Sequence, residues 1–315
     1  MRCSDVYLIS VPKTVCAMCQ AILTKEWTTH VPILQKCSPA ELAAITLTEA
    51  ITAAGLDDQN VTVVDFCSGA GGPVPTIENV LNRYRLLRHS HPISFLMTDI
   101  KPHISSWKAL AAQSASLRYI SESVDATNPP ASVISGHINI SPSKRTIQPK
   151  SRIFRLYCLS FHHFDDVMAK KVLKSTLETA DAFAIIELQD RRFWSLVLVI
   201  SNFFVVLFGS AIWFWDDPIH FALTYIIPVL PIILAFDGVV SALRTRQFEE
   251  IVSLIDGVLR DCHENLTPPE SQTKELRRFG DYSATRGSWT FQGGRERHTF
   301  PIGYMNWFVG YKESE

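Results

Sequence analysis

From Val61 to Glu187 short β-rich runs alternate with stretches of helical periodicity, and that order restricts the fold more than any other feature. Parallel strands need long crossovers, which helices supply, so the alternation predicts a mostly parallel sheet covered on both faces. Val61–Phe66 reads as a buried strand, Thr76–Leu87 as a helix, Ile93–Met97 as a strand, Trp107–Ala115 as a helix and Arg118–Val124 as extended chain. Ile153–Ser160 and Ala182–Glu187 are further strands with a helix over Val167–Thr179 between them. Ahead of these, Ser38-Pro39-Ala40-Glu41 combines a capping box with proline at the first helical position, and Gly55 supplies the stop. A short helix is expected around Val15–Leu23 and another over Gln247–Arg260. Two aromatic runs near Ser288–Gln292 and Tyr304–Tyr311, parted by Gly293-Gly294 and a polar stretch, can pair antiparallel at the far edge of the sheet.

The alternation is interrupted by Phe193–Trp215, about 23 residues without a charge, long enough to cross a hydrocarbon core of roughly 30 Å. Asn202 is its one strongly polar member, and Trp194, Trp213 and Trp215 sit at its ends, where indoles favour a membrane interface. Asp216-Asp217-Pro218 makes a polar turn, and Ile219–Phe236 returns with Pro228 and Pro231 as kinking residues. Arg191 and Arg192 precede this segment and Arg244 and Arg246 follow it, so the positive-inside rule puts both ends on the cytosolic side. The division expected is an N-terminal segment (1–37), a cofactor-binding part (38–192), a membrane helical hairpin inserted after the fifth strand (193–240) and a C-terminal part of the same domain (241–315).

The strand Val61–Asp65 runs straight into Phe66-Cys67-Ser68-Gly69-Ala70-Gly71-Gly72-Pro73, and a helix follows. Such a turn brings backbone close to a nucleotide-type ligand and points helix N–H groups at it. The segment resembles the first motif of class I S-adenosylmethionine-dependent methyltransferases, Asp/Glu-x-Gly-x-Gly-x-Gly, with Asp65, Gly69 and Gly71 on matching positions and Cys67 in place of the first glycine. The resemblance implies a Rossmann-like α/β fold with an antiparallel terminal strand, and S-adenosyl-L-methionine as cofactor. It casts Asp99, at the end of the second strand, as the carboxylate that accepts the ribose hydroxyls, and Asp125-Ala126, after the third, as the adenine edge. Phe236–Arg244 and Pro301-Ile302-Gly303 also resemble members of this type that carry an apolar helix pair. The opening motif of cytosine-5 DNA methyltransferases is similar too, but their Pro-Cys nucleophile after the fourth strand is missing. A nicotinamide fingerprint fails because Val74 occupies the third glycine position.

After the fourth strand stands Ser160-Phe161-His162-His163-Phe164-Asp165-Asp166. In the family this segment faces the transferred methyl, and either His162 or His163 could take a proton from an oxygen or nitrogen nucleophile, with an aspartate to orient it. Asp165 or Asp166 equally suits the cap of the helix at Val167. Basic and acidic residues nearly balance, 30 against 31, which disfavours nucleic acid as a partner. The seven cysteines form no regular framework, Cys16-Ala-Met-Cys19 is a lone pair without a second metal-binding half, and Arg2 with Asp5 makes a poor secretory signal. The expectation is therefore an intracellular, membrane-associated enzyme that faces the cytosol, at the endoplasmic reticulum or a similar membrane, holds no metal, and methylates a small hydrophobic acceptor (a terpenoid, polyketide or lipid) beside membrane lipid. The competing expectation is a membrane scaffold that keeps the fold without turnover.

Overall fold

The computed structural model describes residues 12–135, 151–262 and 280–313; the reading of Arg2 and Asp5 lies outside them. Helices α1 (Lys13–Thr28) and α2 (Pro39–Ala53) precede the alternating region. Strand β1 (Val61–Phe66) leads to α3 (Val74–Leu87), β2 (Ser94–Thr98) to α4 (Ile104–Ala111), and β3 (Leu117–Tyr119) to the short α5 (Ala131–Ile134). Strand β4 (Arg152–Cys158) passes through a single tight turn at Phe161–His163 into α6 (Asp166–Thr179) and β5 (Ala182–Glu187). Helices α7 (Phe193–Trp213), α8 (Pro218–Phe221), α9 (Val229–Arg244) and α10 (Phe248–Cys262) follow, then strands β6 (Tyr282–Arg286), β7 (Trp289–Thr299) and β8 (Gly303–Lys312).

The eight strands form one sheet in the order β3-β2-β1-β4-β5-β8-β7-β6. The first five are parallel and the last three antiparallel. The chain order reverses between β1 and β4, and in doubly wound sheets ligands bind in the crevice beyond the strand ends at that point. β1 is buried along its whole length, as an apolar run between two covered faces must be. Leu47, Ile77 and Trp107 bring α2, α3 and α4 onto one face. Leu173 and Ile255 bring α6 and α10 onto the other. The capping box opens α2 as expected: Ser38 Oγ accepts from the Glu41 amide at 3.3 Å, and the Glu41 carboxylate accepts from the Ser38 amide at 2.7 Å.

Two expectations are corrected. Extended chain leaves the sheet after Tyr119 rather than at Val124, because Ser121-Glu122-Ser123 is exposed and Ser123 Oγ turns back to the Ile100 carbonyl at 2.8 Å. The antiparallel part has three strands, and Gly293-Gly294 lie inside β7 instead of separating two strands. A Cβ on Gly293 would stand 2.5 Å from the Phe248 ring, and one on Gly294 2.7 Å from that of Trp307, so these glycines admit aromatic rings that cover the sheet. The return segment Ile219–Phe236 is kinked, as its prolines lead one to expect: Pro218–Ile226 and Val229–Arg244 meet at a 70° bend, where Pro228 lacks the N–H that would continue the ladder.

Among the described residues α7 is the one helix long and apolar enough to cross a membrane, with mean hydropathy 2.3 over its most apolar window, of which 22% is buried. It packs along α9, where a Cβ on Gly238 would be 2.6 Å from Val199 Cγ1. Helix α1, longer than the expected Val15–Leu23, wedges against this pair through Val15, Cys19 and Ile22 on Val206, Leu230 and Leu234. The flanking arginines are all engaged with the sheet domain. Arg191 pairs with Glu250, Arg192 with Asp190 and Arg246 with Asp166, while Arg244 donates to the His163 carbonyl.

Candidate functional site

The glycine turn between β1 and α3 is built from backbone conformations that most side chains avoid: φ is +61° at Cys67, +52° at Gly69, +111° at Gly71 and +44° at Gly72. Cys67 thus adopts the left-handed form its glycine counterpart would adopt freely, at a cost of roughly 1 kcal/mol. The turn is held from outside. Asp99 Oδ2 accepts from the Gly69 amide at 2.9 Å, Trp107 Nε1 donates to the Gly69 carbonyl at 2.9 Å, and Thr98 Oγ1 donates to the Asp65 carbonyl at 2.9 Å. The other Asp99 oxygen accepts from the Lys101 amide at 2.8 Å. Each carboxylate oxygen keeps a second lone pair, so this arrangement leaves Asp99 able to accept further hydroxyls.

Asp65 is buried at the end of β1, and its Oδ1 has no hydrogen-bond partner. Burial pushes its carboxyl up to about 8, with repulsion from Asp99 adding to the shift and a hydrogen bond with Ser68 opposing it. Asp65 lines a cavity of about 930 Å³ bounded by the glycine turn, α1, the turn at Phe161–His163, α7 and α9. Four of its lining residues carry a buried polar atom without a protein partner: Gln20, Glu26, Asp65 and His298. Buried polar groups are rarely left so. Burial lowers the His298 imidazole to about 4, which leaves it neutral near pH 7.

Both histidines line this cavity, their ring centroids 4.3 Å apart. His162 is buried, and its Nδ1 lies 2.9 Å from Glu187 Oε2, while Glu187 Oε1 accepts from the His162 amide at 3.2 Å. The orienting carboxylate is therefore Glu187, at the end of β5, and not an aspartate of the following pair. Asp165 caps α6 by accepting from the Met168 amide at 2.8 Å, and Asp166 binds Arg246 at 2.9 Å. Nothing in local sequence joins Glu187 to His162; adjacency of β4 and β5 in the sheet does. Arg246 also donates to the Phe164 carbonyl at 2.7 Å, so the end of α9 clamps the histidine turn.

Asp65, Gly69, His162 and His163 thus share one cavity. Gly71 stands behind the turn, where a Cβ would be 2.4 Å from Leu110 Cδ1. Asp99 reaches the site through Gly69, and Asp125-Ala126 follow beside it, since the Val124 amide donates to the Asp99 carbonyl at 2.9 Å. Asp125 is exposed and closes its own turn on Thr127 at 2.8 Å. Of the C-x-x-C pair, Cys19 is fully buried under α9, and that burial first, then the neighbouring Cys16, pushes its thiol up to about 12.

No family model and no curated protein matches the sequence. Solved structures do align. LepI in complex with SAM matches at 12% identity over 96% of this chain and 53% of that chain, with a TM-score of 0.45. Magnesium protoporphyrin IX methyltransferase (ChlM) from Synechocystis PCC 6803 with bound SAH matches at 9% identity over 87% and 83%, with a TM-score of 0.39. A structure from Rhodobacter sphaeroides assigned to the Zn-dependent alcohol dehydrogenases matches at 12% identity over 97% and 100%, with a TM-score of 0.40. The chain spans about half the length of LepI. Likenesses this distant, to proteins of different chemistry, select no activity, and the functional reading rests on the site.

Proposed function

We propose that the chain is a membrane-associated S-adenosylmethionine-dependent methyltransferase of class I that acts on a small hydrophobic acceptor. The observation that carries this reading is the single cavity joining the glycine turn to the His162–Glu187 pair and to the apolar faces of α7 and α9. The residues fit the cofactor: a turn of left-handed residues for close backbone approach, Asp99 with acceptor capacity for ribose hydroxyls, and Asp65, a cavity residue with a buried unpartnered oxygen. S-adenosylmethionine, when bound, supplies an electrophilic methyl group on a sulfonium.

The chain's own part is to desolvate, align and deprotonate the acceptor. Glu187 accepting from Nδ1–H of His162 fixes the tautomer whose Nε2 carries the lone pair, and this nitrogen takes the acceptor's proton. The His163 ring lies tilted against that of His162 at 44°, and Arg244 donates to the His163 carbonyl. Phe204, Val205, Phe208 and Ile212 of α7 line the cavity and are exposed. If α7 lies in a bilayer with α9 returning beside it, this is an opening from lipid into the site. The four flanking arginines favour a topology with both ends of that pair on the cytosolic side. The test is binding of S-adenosylmethionine by the full chain in detergent or nanodiscs, with Gly71→Ala and Asp99→Ala as controls, followed by labelled-methyl transfer to extracts of apolar metabolites. A reproducible methylated product lost in His162→Ala supports the reading; absence of cofactor binding in the parent protein overturns it.

A further inference from the structure

The cavity is not uniformly apolar beyond the glycine turn. Gln20, whose amide lies 3.4 Å from the Cβ position of Gly69, marks the cofactor end on α1. Glu26 sits six residues further along the same helix, roughly 9 Å at 1.5 Å per residue. It also lines the cavity, and so does Asn202, the strongly polar member of the apolar run in α7. Glu26 Oε1 is buried without a partner. The apolar side chains of Leu23, Leu198 and Val205 line the same cavity, as do Asp237 and Ser241 of α9. Burying an acidic side chain against a helix otherwise suited to lipid is costly unless a ligand completes its hydrogen bonds.

Resting on the methyltransferase reading for the word acceptor, we propose that the Glu26–Asn202 pair is the specificity site for a hydroxyl group on the otherwise apolar acceptor. A hydroxyl can donate to Glu26 and accept from the Asn202 amide, or the reverse when Glu26 is protonated, so it suits the pair in either state. Burial pushes that carboxyl up to about 7, with Asn202 opposing, so both states are populated near neutrality. This discrimination is the strong kind, because an analogue without the hydroxyl leaves buried polar atoms unpaired.

The experiment uses the full chain in detergent, with quenching of tryptophan fluorescence as readout, since Trp27 and Trp213 line the cavity. The probes are farnesol, farnesene and farnesylamine, alike in apolar body and different in head group. Farnesol should bind about tenfold more tightly than farnesene; Glu26→Leu should abolish that difference without weakening farnesene, and Glu26→Gln should retain most of it. Equal affinities, no binding of any probe, or a preference unchanged in Glu26→Leu overturns the proposal, and a preference for farnesylamine overturns it in favour of a cation. S-adenosylmethionine binding is measured in the same preparations. If it persists while the hydroxyl preference is missing, this inference alone fails; if it is missing from the parent, the functional reading fails.

Discussion

Replacing Asp65 with asparagine separates a carboxylate kept for a ligand from one kept for the fold. Its carboxyl stands at about 8 in the folded protein against an ordinary value of 3.8, chiefly through burial. An acid raised by folding takes up a proton on folding between those values. Its contribution is therefore most favourable below about pH 3.8, falls as pH rises through the window and is flat above about 8. The slope inside the window is at most about 1.4 kcal/mol per pH unit, so from pH 5.5 to 7.5 it amounts to roughly 3 kcal/mol. Asn has no proton to bind, and Asp65→Asn removes this slope. Thermal unfolding of ligand-free protein in detergent should show the variant gaining on the parent by about 5 °C more at pH 7.5 than at pH 5.5, at roughly 2 °C per kcal/mol. The same variant should lose at least tenfold in affinity for S-adenosylmethionine. A difference in melting temperature that does not change with pH refutes the burial argument, and unchanged affinity refutes the role in the site.

Other substitutions have equally definite outcomes. Gly71→Ala combines a φ of +111° with a Cβ 2.4 Å from Leu110 Cδ1. It should cost about 1–3 kcal/mol and abolish cofactor binding, and adding Leu110→Ala should not restore the melting temperature, because the backbone strain remains. Cys67→Gly relieves the left-handed strain and should leave stability unchanged or raise it by up to about 1 kcal/mol, whereas Cys67→Val should lower it in the same denaturation assay. Glu187→Gln should reduce kcat by about 10–100-fold with little change in KM, and Glu187→Asp should recover part of the loss. An equal rise in KM would instead mark Glu187 as a structural support.

Where a signal is local, sequence reading located it. The capping box at Ser38, the β1–glycine-turn–α3 unit and the helix after Asp165 all depend on neighbours within a few positions, and they stand where expected. Features made by distant pairs were not legible. Gly293 and Gly294 read as a break because glycine weakens a strand, yet here they make room for Phe248 and Trp307. The charges that follow them looked like loop, but Arg295 stacks over the Tyr304 ring at 4.3 Å on the neighbouring strand. Glu187 became the partner of His162 only through sheet adjacency. The part of α1 was hidden for a similar reason: its buried side faces α7 and α9 rather than the sheet, so its meaning depends on a segment some 180 residues later.

Whether the glycine turn and its cavity hold S-adenosylmethionine is decided by isothermal titration of the purified full chain in nanodiscs. Saturable one-to-one binding is expected, weakened at least tenfold by Gly71→Ala and by Asp99→Ala while the protein still melts cooperatively. Absence of binding by the folded parent, or binding that both substitutions leave intact, would contradict it.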